Sequence, residues 1–421
     1  MENRVERSTV GNLTLISEQV PGLRSISLGL WIDRGSRDEN EAIRGLSHLY
    51  EHMVFKGTGT RSPEEIARVL EKRGGLLNAF TGKEHICLYA RFVDDALPEA
   101  CDVLRDLFCH PLLSAEDLEK EKKVILEEIR GCEDDPEDFV HEQLMGALFP
   151  NDPLGAPITG TGQSVSRLSR VTLQEFCCSL YGARLVIAAS GNLRHKDLIA
   201  AFSRLPLNGK ALTRSPLRSA SVRCLRVFKE KKIQQANIAV GFPICGFSSV
   251  DKYAFMALNI LLGEGMSSRL FQKLREEMGL VYSVYSFLDA FFDTGLFGVY
   301  FGTDPERSLS AVRAVLKEIN DGLSGGFTAK DLDFAKSYLQ GNVLLSMENT
   351  TNRMIHLARS ELYYRRYEPV SKTLEHIERV RPSDFRRIRD RYFSPEKMGV
   401  AVVAPKGSLS KRSLAGLRFG R

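Results

Sequence analysis

The chain has 421 residues, of which 43% are hydrophobic and 26% are charged, and its formal net charge is +5. This length exceeds one ordinary core, so two or three domains are expected, and the composition is that of a soluble globular protein. No basic stripe predicts nucleic-acid binding, no 18-residue apolar run predicts a membrane helix, and residues 1–7 lack a secretory signal, so a cytoplasmic location is expected.

The first half of the chain alternates strand and helix patterns. The predicted elements are strands over residues 25–33, 76–81, 86–92 and 185–190 and helices over residues 45–56, 96–108 and 114–129. Only residues 82–85 separate two of the strands, which predicts a hairpin. Ser114 opens a helix of capping-box type.

The second half repeats this pattern. Residues 236–242 read as a strand like 25–33, and residues 253–262 read as a helix in the place of 45–56. The segment that begins at Thr328 resembles the one that begins at Ser114, an offset of 328 − 114 = 214. We interpret this as a two-fold internal repeat. The predicted division is a catalytic domain over residues 1–205, a linker over 206–222 and a degenerate repeat domain over 223–421.

The C-terminal residues 405–421 contain five basic and no acidic side chains. Charged chain ends are usually solvated, so a solvent-exposed tail is expected there.

The strongest chemical signal is a pair of histidines that flank an acid, His48, Glu51 and His52. On a helix, residues four apart share a face, so both imidazoles can point at one metal ion. Glu51 lies close to the same face, near enough to take a proton from a water molecule at the metal. Zinc accepts such nitrogen and oxygen ligands. The alternative is two surface histidines beside an unrelated acid.

A third ligand is expected on the helix that begins at Ser114. Glu121 and Glu128 lie seven residues apart and share a face with Leu118 and Ile125, which predicts that this face points inward. Buried carboxylates must be paired or bind metal. Glu128 is therefore the predicted ligand, and a plain surface acid is the alternative.

Four segments together resemble one known family. Residues 44–58 (RGLSHLYEHMVFKGT) closely resemble the active-site segment of the pitrilysin family of inverzincin metallopeptidases, above all the mitochondrial processing peptidase β-subunit and its bacterial relatives. Residues 122–128 resemble its third-ligand segment, 77–81 its substrate-binding edge strand, and 274–282 the second-half segment that supplies an Arg and a Tyr. Tyr50 departs from the Phe of many relatives.

This resemblance implies an α+β fold of two homologous domains, each a mixed β-sheet packed with helices, in agreement with the repeat. It implies a zinc metalloendopeptidase with one zinc ion per chain. The implied site residues are His48, His52 and Glu128 for zinc, Glu51, Glu121, Arg275 and Tyr282 for catalysis, and Asn78, Ala79 and Phe80 for substrate. Glu51 is the general base, and Glu121 assists from outside the ligand set.

The expected partners are peptides and a second copy of the chain. The resemblance implies a homodimer with a closed chamber, in which Arg275 and Tyr282 of one subunit complete the site of the other. Their alternative roles are a surface charge and a core ring, and Asn78 is alternatively a polar residue beside a turn. Two other functions stay open: a specific processing peptidase with a non-catalytic partner chain, and a non-catalytic assembly subunit like the respiratory core proteins.

Overall fold

The computed structural model describes residues 4–150, 152–207, 225–407, 417 and 419. In the first half the elements are β1 (Arg4–Val10), β2 (Leu13–Gln19), β3 (Ser25–Ile32), α1 (Leu46–Val54), α2 (Pro63–Glu71), β4 (Leu76–Thr81), β5 (Ile86–Val93), α3 (Leu97–Cys109), α4 (Ala115–Asp134), α5 (Pro136–Leu148), α6 (Gly162–Arg167), α7 (Arg170–Leu180), β6 (Leu185–Gly191) and α8 (His195–Phe202). In the second half they are β7 (Arg226–Glu230), β8 (Ala236–Cys245), α9 (Asp251–Gly263), β9 (Val281–Ala290), β10 (Thr294–Thr303), α10 (Ser308–Asp321), α11 (Ala329–Ser346), α12 (Thr350–Arg359), α13 (Val370–Glu378), α14 (Pro382–Tyr392) and β11 (Gly399–Ala404).

The described chain forms two compact units whose sequences interleave. The first comprises Met1–Arg130, Ala156–Ser215 and Leu344–Glu368, and the second comprises Gly131–Gly155, Pro216–Val343 and Pro369–Arg421. Each unit therefore takes one helix from the other half of the sequence, since α5 belongs to the second unit and α12 to the first. These helices begin at residues 136 and 350, and 350 − 136 = 214 is also the offset of the repeat.

The predicted linker comprises residues 206–222, and from residue 208 onward it lies outside the described residues. The division of the repeat into residues 1–205 and 223–421 stays a prediction, because the interleaved units are defined by packing rather than by the repeated sequence.

The first unit is built on a six-stranded mixed sheet in the order β1-β2-β6-β3-β5-β4. Its β2 and β6 are parallel, and its other neighbours pair in antiparallel fashion. Helix α12 lies against this sheet, where Trp31 Nε1 donates to Met354 Sδ at 3.3 Å and the Ser27 and Thr350 hydroxyls are 2.9 Å apart. The hairpin predicted around residues 82–85 is confirmed by the antiparallel pairing of β4 with β5.

The second unit repeats this plan with a five-stranded sheet in the order β7-β11-β8-β10-β9. Helix α5 buries Val140, Leu144 and Leu148 against residues of β8, β10 and β11. The fold is therefore α+β with two related domains, as the sequence predicts. No helix in the described ranges is long and apolar enough to cross a membrane.

The expectation of a solvated tail was wrong for two C-terminal residues. Leu417 and Phe419 are buried, and the Phe419 ring centroid lies 5.1 Å from that of Phe242. The apolar area that these two side chains remove from water outweighs the basic character of the surrounding sequence.

Candidate metal centre

Helix α1 places its chemistry on one face because its other face is apolar. Leu49, Tyr50 and Met53 are buried without measurable exposure in the core of the first unit. The intervening His48, Glu51 and His52 are only partly buried and lie away from that core. Burial of the apolar stripe fixes the helix rotation and thereby the direction of the polar residues.

Three ligand atoms meet between α1 and α4. His48 Nε2 lies 3.7 Å and His52 Nε2 3.6 Å from Glu128 Oε2, and all three atoms lie within 4.8 Å of one another. Nitrogen and oxygen ligands about 2.1 Å from a tetrahedral zinc ion stand about 3.4 Å apart. The three side chains therefore fit a zinc ion with little movement, and they leave a fourth position open.

The outer nitrogen of His52 is held by Glu121. Its Nδ1 lies 2.9 Å from Glu121 Oε2, and the other carboxylate oxygen of Glu121 accepts from Lys56 Nζ at 2.7 Å. A ligand histidine that donates Nδ1–H to a carboxylate presents an unprotonated Nε2 to the metal. Glu121 is only 7% exposed, so it acts on the ring from a largely desolvated position.

The local electrostatics favour neutral imidazole and a proton-accepting glutamate. Burial, and secondly the His52 ring, lower the pKa of His48 to about 4. A neutral imidazole at neutral pH is the form that binds metal. Burial raises the pKa of Glu51, and the Glu128 carboxylate adds to this, while interactions with Thr81 and with the His52 ring lower it. Glu51 is thus moved towards the pH range in which a base both gains and releases protons.

Strand β4 is an edge strand, and its free side leads to Glu51. Gly82 N donates to His85 O, and the register pairs Ala79 with Leu88. Because bonded and non-bonded pairs alternate in antiparallel ladders, the N–H and C=O of Ala79 face away from β5. Asn78 Oδ1 accepts the Ala79 N–H at 2.8 Å. Thr81, two residues further on, also faces away from β5, and it lies close enough to Glu51 to oppose part of the rise in the pKa of that carboxyl.

The remaining predicted site residues have different surroundings. Phe80 packs edge-on against Trp31, with centroids 5.4 Å apart. Arg275 and Tyr282 belong to the second unit, where Arg275 is exposed with its guanidinium carbon 4.8 Å from the Phe271 ring centroid. Tyr282 is 57% exposed, so it is not the core ring considered as an alternative. The catalytic role of both residues stays a prediction.

One expectation about the third ligand was wrong in its reasoning. The side chain of Glu128 is 43% exposed and is not a buried carboxylate, whereas Glu121 on the same helix is buried. Glu128 lies on the part of α4 that follows Ile125, where the residues are half-buried or exposed. Its position within reach of both histidines, rather than burial, makes it a ligand candidate.

Three further residues were missed from the sequence. Lys56 pairs with Glu121, Thr81 influences the pKa of Glu51, and Glu39 accepts from the first turn of α1. Each acts across a gap in sequence that no local pattern records. The sequence held a clue only for Glu39. The residue before α1 is a glycine, which has no side chain to cap the helix, so an acceptor from elsewhere in the chain was to be expected.

Comparison with known proteins gives matches over most of the chain. Residues 14–162 match the model of the insulinase family, peptidase family M16, and residues 168–339 match the model of the M16 inactive domain. The chain is 37% identical to an uncharacterized zinc protease of Mycobacterium tuberculosis over 96% of this chain and 93% of that protein. It is 33% identical to an uncharacterized zinc protease of Bacillus subtilis over 96% and 99%, respectively.

Solved structures with the same fold include two distant bacterial proteins. One is described as a peptidase M16 inactive domain from Pseudomonas fluorescens, with a TM-score of 0.86, 20% identity, and coverage of 96% of this chain and 99% of that one. The other is a protease from Helicobacter pylori, with a TM-score of 0.86, 18% identity, and coverage of 96% and 100%.

Proposed function

This chain belongs to the insulinase family of zinc metallopeptidases, peptidase family M16, and we propose that it is an endopeptidase that hydrolyses extended peptides with Glu51 as general base. The observation that carries the proposal is a single juxtaposition. Three ligand atoms lie within 4.8 Å of one another, and Glu51, on the same helix as two of them, interacts with Thr81 at the end of the edge strand β4.

The proposed zinc ligands are His48, His52 and Glu128. A zinc ion bound to them would polarise the peptide carbonyl and make water at the site easier to deprotonate. Glu121 fixes the tautomer of His52 through Nδ1, and Lys56 keeps the Glu121 carboxylate paired. The protein thus supplies a ligand set whose geometry is set before substrate arrives.

A peptide would bind as an additional strand beside β4. The outward N–H and C=O of Ala79 would pair with its main chain, and the peptide would take the place of the Asn78 side chain at the Ala79 amide. Main-chain pairing requires an extended conformation but no particular sequence, so we expect broad specificity among unfolded segments. A peptide that pairs with Ala79 and continues along β4 would place its scissile bond beyond Thr81, beside Glu51.

Glu51 moves the proton in this proposal. Its carboxylate accepts a proton from the attacking water and passes it to the leaving amine when the C–N bond breaks. Its raised pKa suits both steps, because a carboxylate of ordinary pKa holds a proton too weakly at neutral pH. A charged or phenolic donor would stabilise the carbonyl oxygen as it becomes anionic.

We assign that donor role to Arg275 and Tyr282 of a second copy of the chain. Both are exposed in the second unit, as a residue must be to serve another subunit. The proposal therefore includes a homodimer that encloses a chamber, with each subunit completing the other's site. A cytoplasmic location stays a prediction.

The experiment that tests the function is removal and restoration of the metal. Chelated protein should lose cleavage of an unstructured peptide, and stoichiometric zinc should restore it in the wild type but not in Glu51→Gln. Turnover that survives complete removal of the metal would contradict the zinc mechanism. Full activity of the Glu51→Gln chain would contradict the assignment of the base.

The same preparation separates the alternative functions. A chain that cleaves peptides without any other protein is not a processing peptidase that depends on a non-catalytic partner. A chain that binds zinc but cleaves nothing, even at high concentration, would favour an assembly subunit.

A further inference from the structure

The zinc-binding helix has no cap of its own. Helix α1 begins after Gly45, which has φ +88° and no side chain with which to accept the free N–H groups of the first turn. A side chain cannot be added there, because a Cβ on Gly45 would lie 2.6 Å from the Thr159 carbonyl oxygen. The usual Ser, Thr or Asp cap is therefore excluded by packing, and these amides need another acceptor.

Glu39 supplies that acceptor from outside the helix. One of its carboxylate oxygens accepts from Gly45 N at 2.7 Å, and the other accepts from Ser47 N at 2.6 Å. The residue is only 3% exposed, so these two bonds are made in a largely desolvated place. A carboxylate at this end also interacts favourably with the positive end of the helix dipole. Glu39 thus holds the backbone on both sides of Leu46.

The two histidine ligands differ in how they are held. The His52 ring is tied at Nδ1 to Glu121, but His48 Nδ1 is buried without a hydrogen-bond partner among the described residues. The orientation of His48 therefore depends on its backbone. That backbone follows directly after Ser47, the residue held by Glu39, and lies in the first turn, where helices fray most easily.

We propose that Glu39 is a positioning residue for the metal centre, which fixes the first turn of α1 so that His48 meets the ion. The proposal rests on the ligand set given above. Glu39 touches neither metal nor substrate, and it acts through the Gly45 and Ser47 amides. Its loss should weaken zinc binding before it affects any chemical step.

The test compares zinc affinity, by competition with a chelator, in three full-length variants. Glu39→Gln places an amide N–H₂ against one of the two backbone donors, so it should bind zinc about 10- to 100-fold more weakly, as supporting residues around metal ligands typically require. Glu39→Asp keeps the charge with a shorter reach and should give an intermediate loss.

The matched control is Glu18→Gln. Glu18 is 7% exposed in the same unit, and its carboxylate accepts from Arg353 at 2.6 Å and from the Ser190 hydroxyl at 3.2 Å. This variant should lose thermal stability and keep its zinc affinity within about 3-fold, well under the 10-fold lower bound typical of supporting residues.

Three results would overturn the proposal: unchanged affinity in Glu39→Gln, an equal loss in Glu39→Gln and Glu18→Gln, or, where Glu39→Gln does not fold, unchanged affinity in Glu39→Asp. His48→Ala separates this from failure of the ligand set. If His48→Ala keeps its zinc, the ligand assignment itself is wrong. If His48→Ala loses zinc while Glu39→Gln keeps it, only the positioning role fails.

Discussion

Replacing Glu121 by Gln should weaken zinc binding without removing a ligand. Its two oxygens accept from His52 Nδ1 at 2.9 Å and Lys56 Nζ at 2.7 Å, and the residue is only 7% exposed. Gln retains one acceptor oxygen for these two donors and loses the charge that makes His52 a stronger donor to the metal. Loss of such support costs about 10- to 100-fold in metal affinity, or about 1.4–2.7 kcal/mol.

The assay is competition with a chelator of known affinity, and the control lies on the same helix. Glu127 is exposed and, among the described residues, pairs only with Arg130, so Glu127→Gln should bind zinc as the wild type does. The Glu121→Gln chain should also keep its far-ultraviolet circular dichroism. Wild-type affinity in Glu121→Gln, or an equal loss in Glu127→Gln, would refute the role given to Glu121.

Further predictions follow from other parts of the structure. The Tyr50 hydroxyl is fully buried without a partner among the described residues, so Tyr50→Phe should raise the free energy of unfolding by about 1 kcal/mol, and a clear drop in melting temperature would count against this. Unfolded peptides should be cut and stably folded domains spared, which a mass-spectrometric digest would check. Mixing Glu51→Gln with Arg275→Ala/Tyr282→Phe chains should restore activity at one site of each mixed dimer, and demonstrated exchange without recovery would argue against shared sites. Burial raises the pKa of Glu39 from 4.5 to about 7, so the folded protein binds this proton more tightly than the unfolded chain does. The resulting gain in folding free energy is complete below pH 4.5 and is lost as the pH rises through 7. Relative to Glu39→Gln, the wild type should lose up to about 3 kcal/mol over that range in denaturant titrations, and parallel pH profiles would contradict the shift.

The sequence predicted the parts of the site that local periodicity records. His48 and His52 are four residues apart on an amphipathic helix, and that spacing alone places both rings on one face. The repeat offset of 214 also held for α4 and α11, which begin at residues 115 and 329. Spacing of this kind survives folding because it is a property of the single helix.

Other features were set by tertiary packing and could not be read from the sequence. Apolar periodicity shows that α5 and α12 each bury one face. It does not show that α5, from the first half of the sequence, belongs to the second unit, or that α12, from the second half, belongs to the first. Glu121 and Glu128 share a face of α4, yet one is buried and the other is exposed, and helical spacing alone does not show that difference. The two bonds that Glu39 accepts from α1 depend on a turn that brings residue 39 close to residue 45, and no propensity rule predicts that proximity.

Counting zinc atoms per chain by atomic absorption, in the wild type and its variants, tests the proposed metal centre most directly. We expect about one zinc per chain in the wild type, as for a three-ligand catalytic site, and the same content in Glu51→Gln, because a base is not a ligand. We expect loss of the metal in His48→Ala, His52→Ala and Glu128→Ala. Full zinc content in Glu128→Ala, or loss of zinc in Glu51→Gln, would contradict the arrangement of ligands and base proposed for this protein.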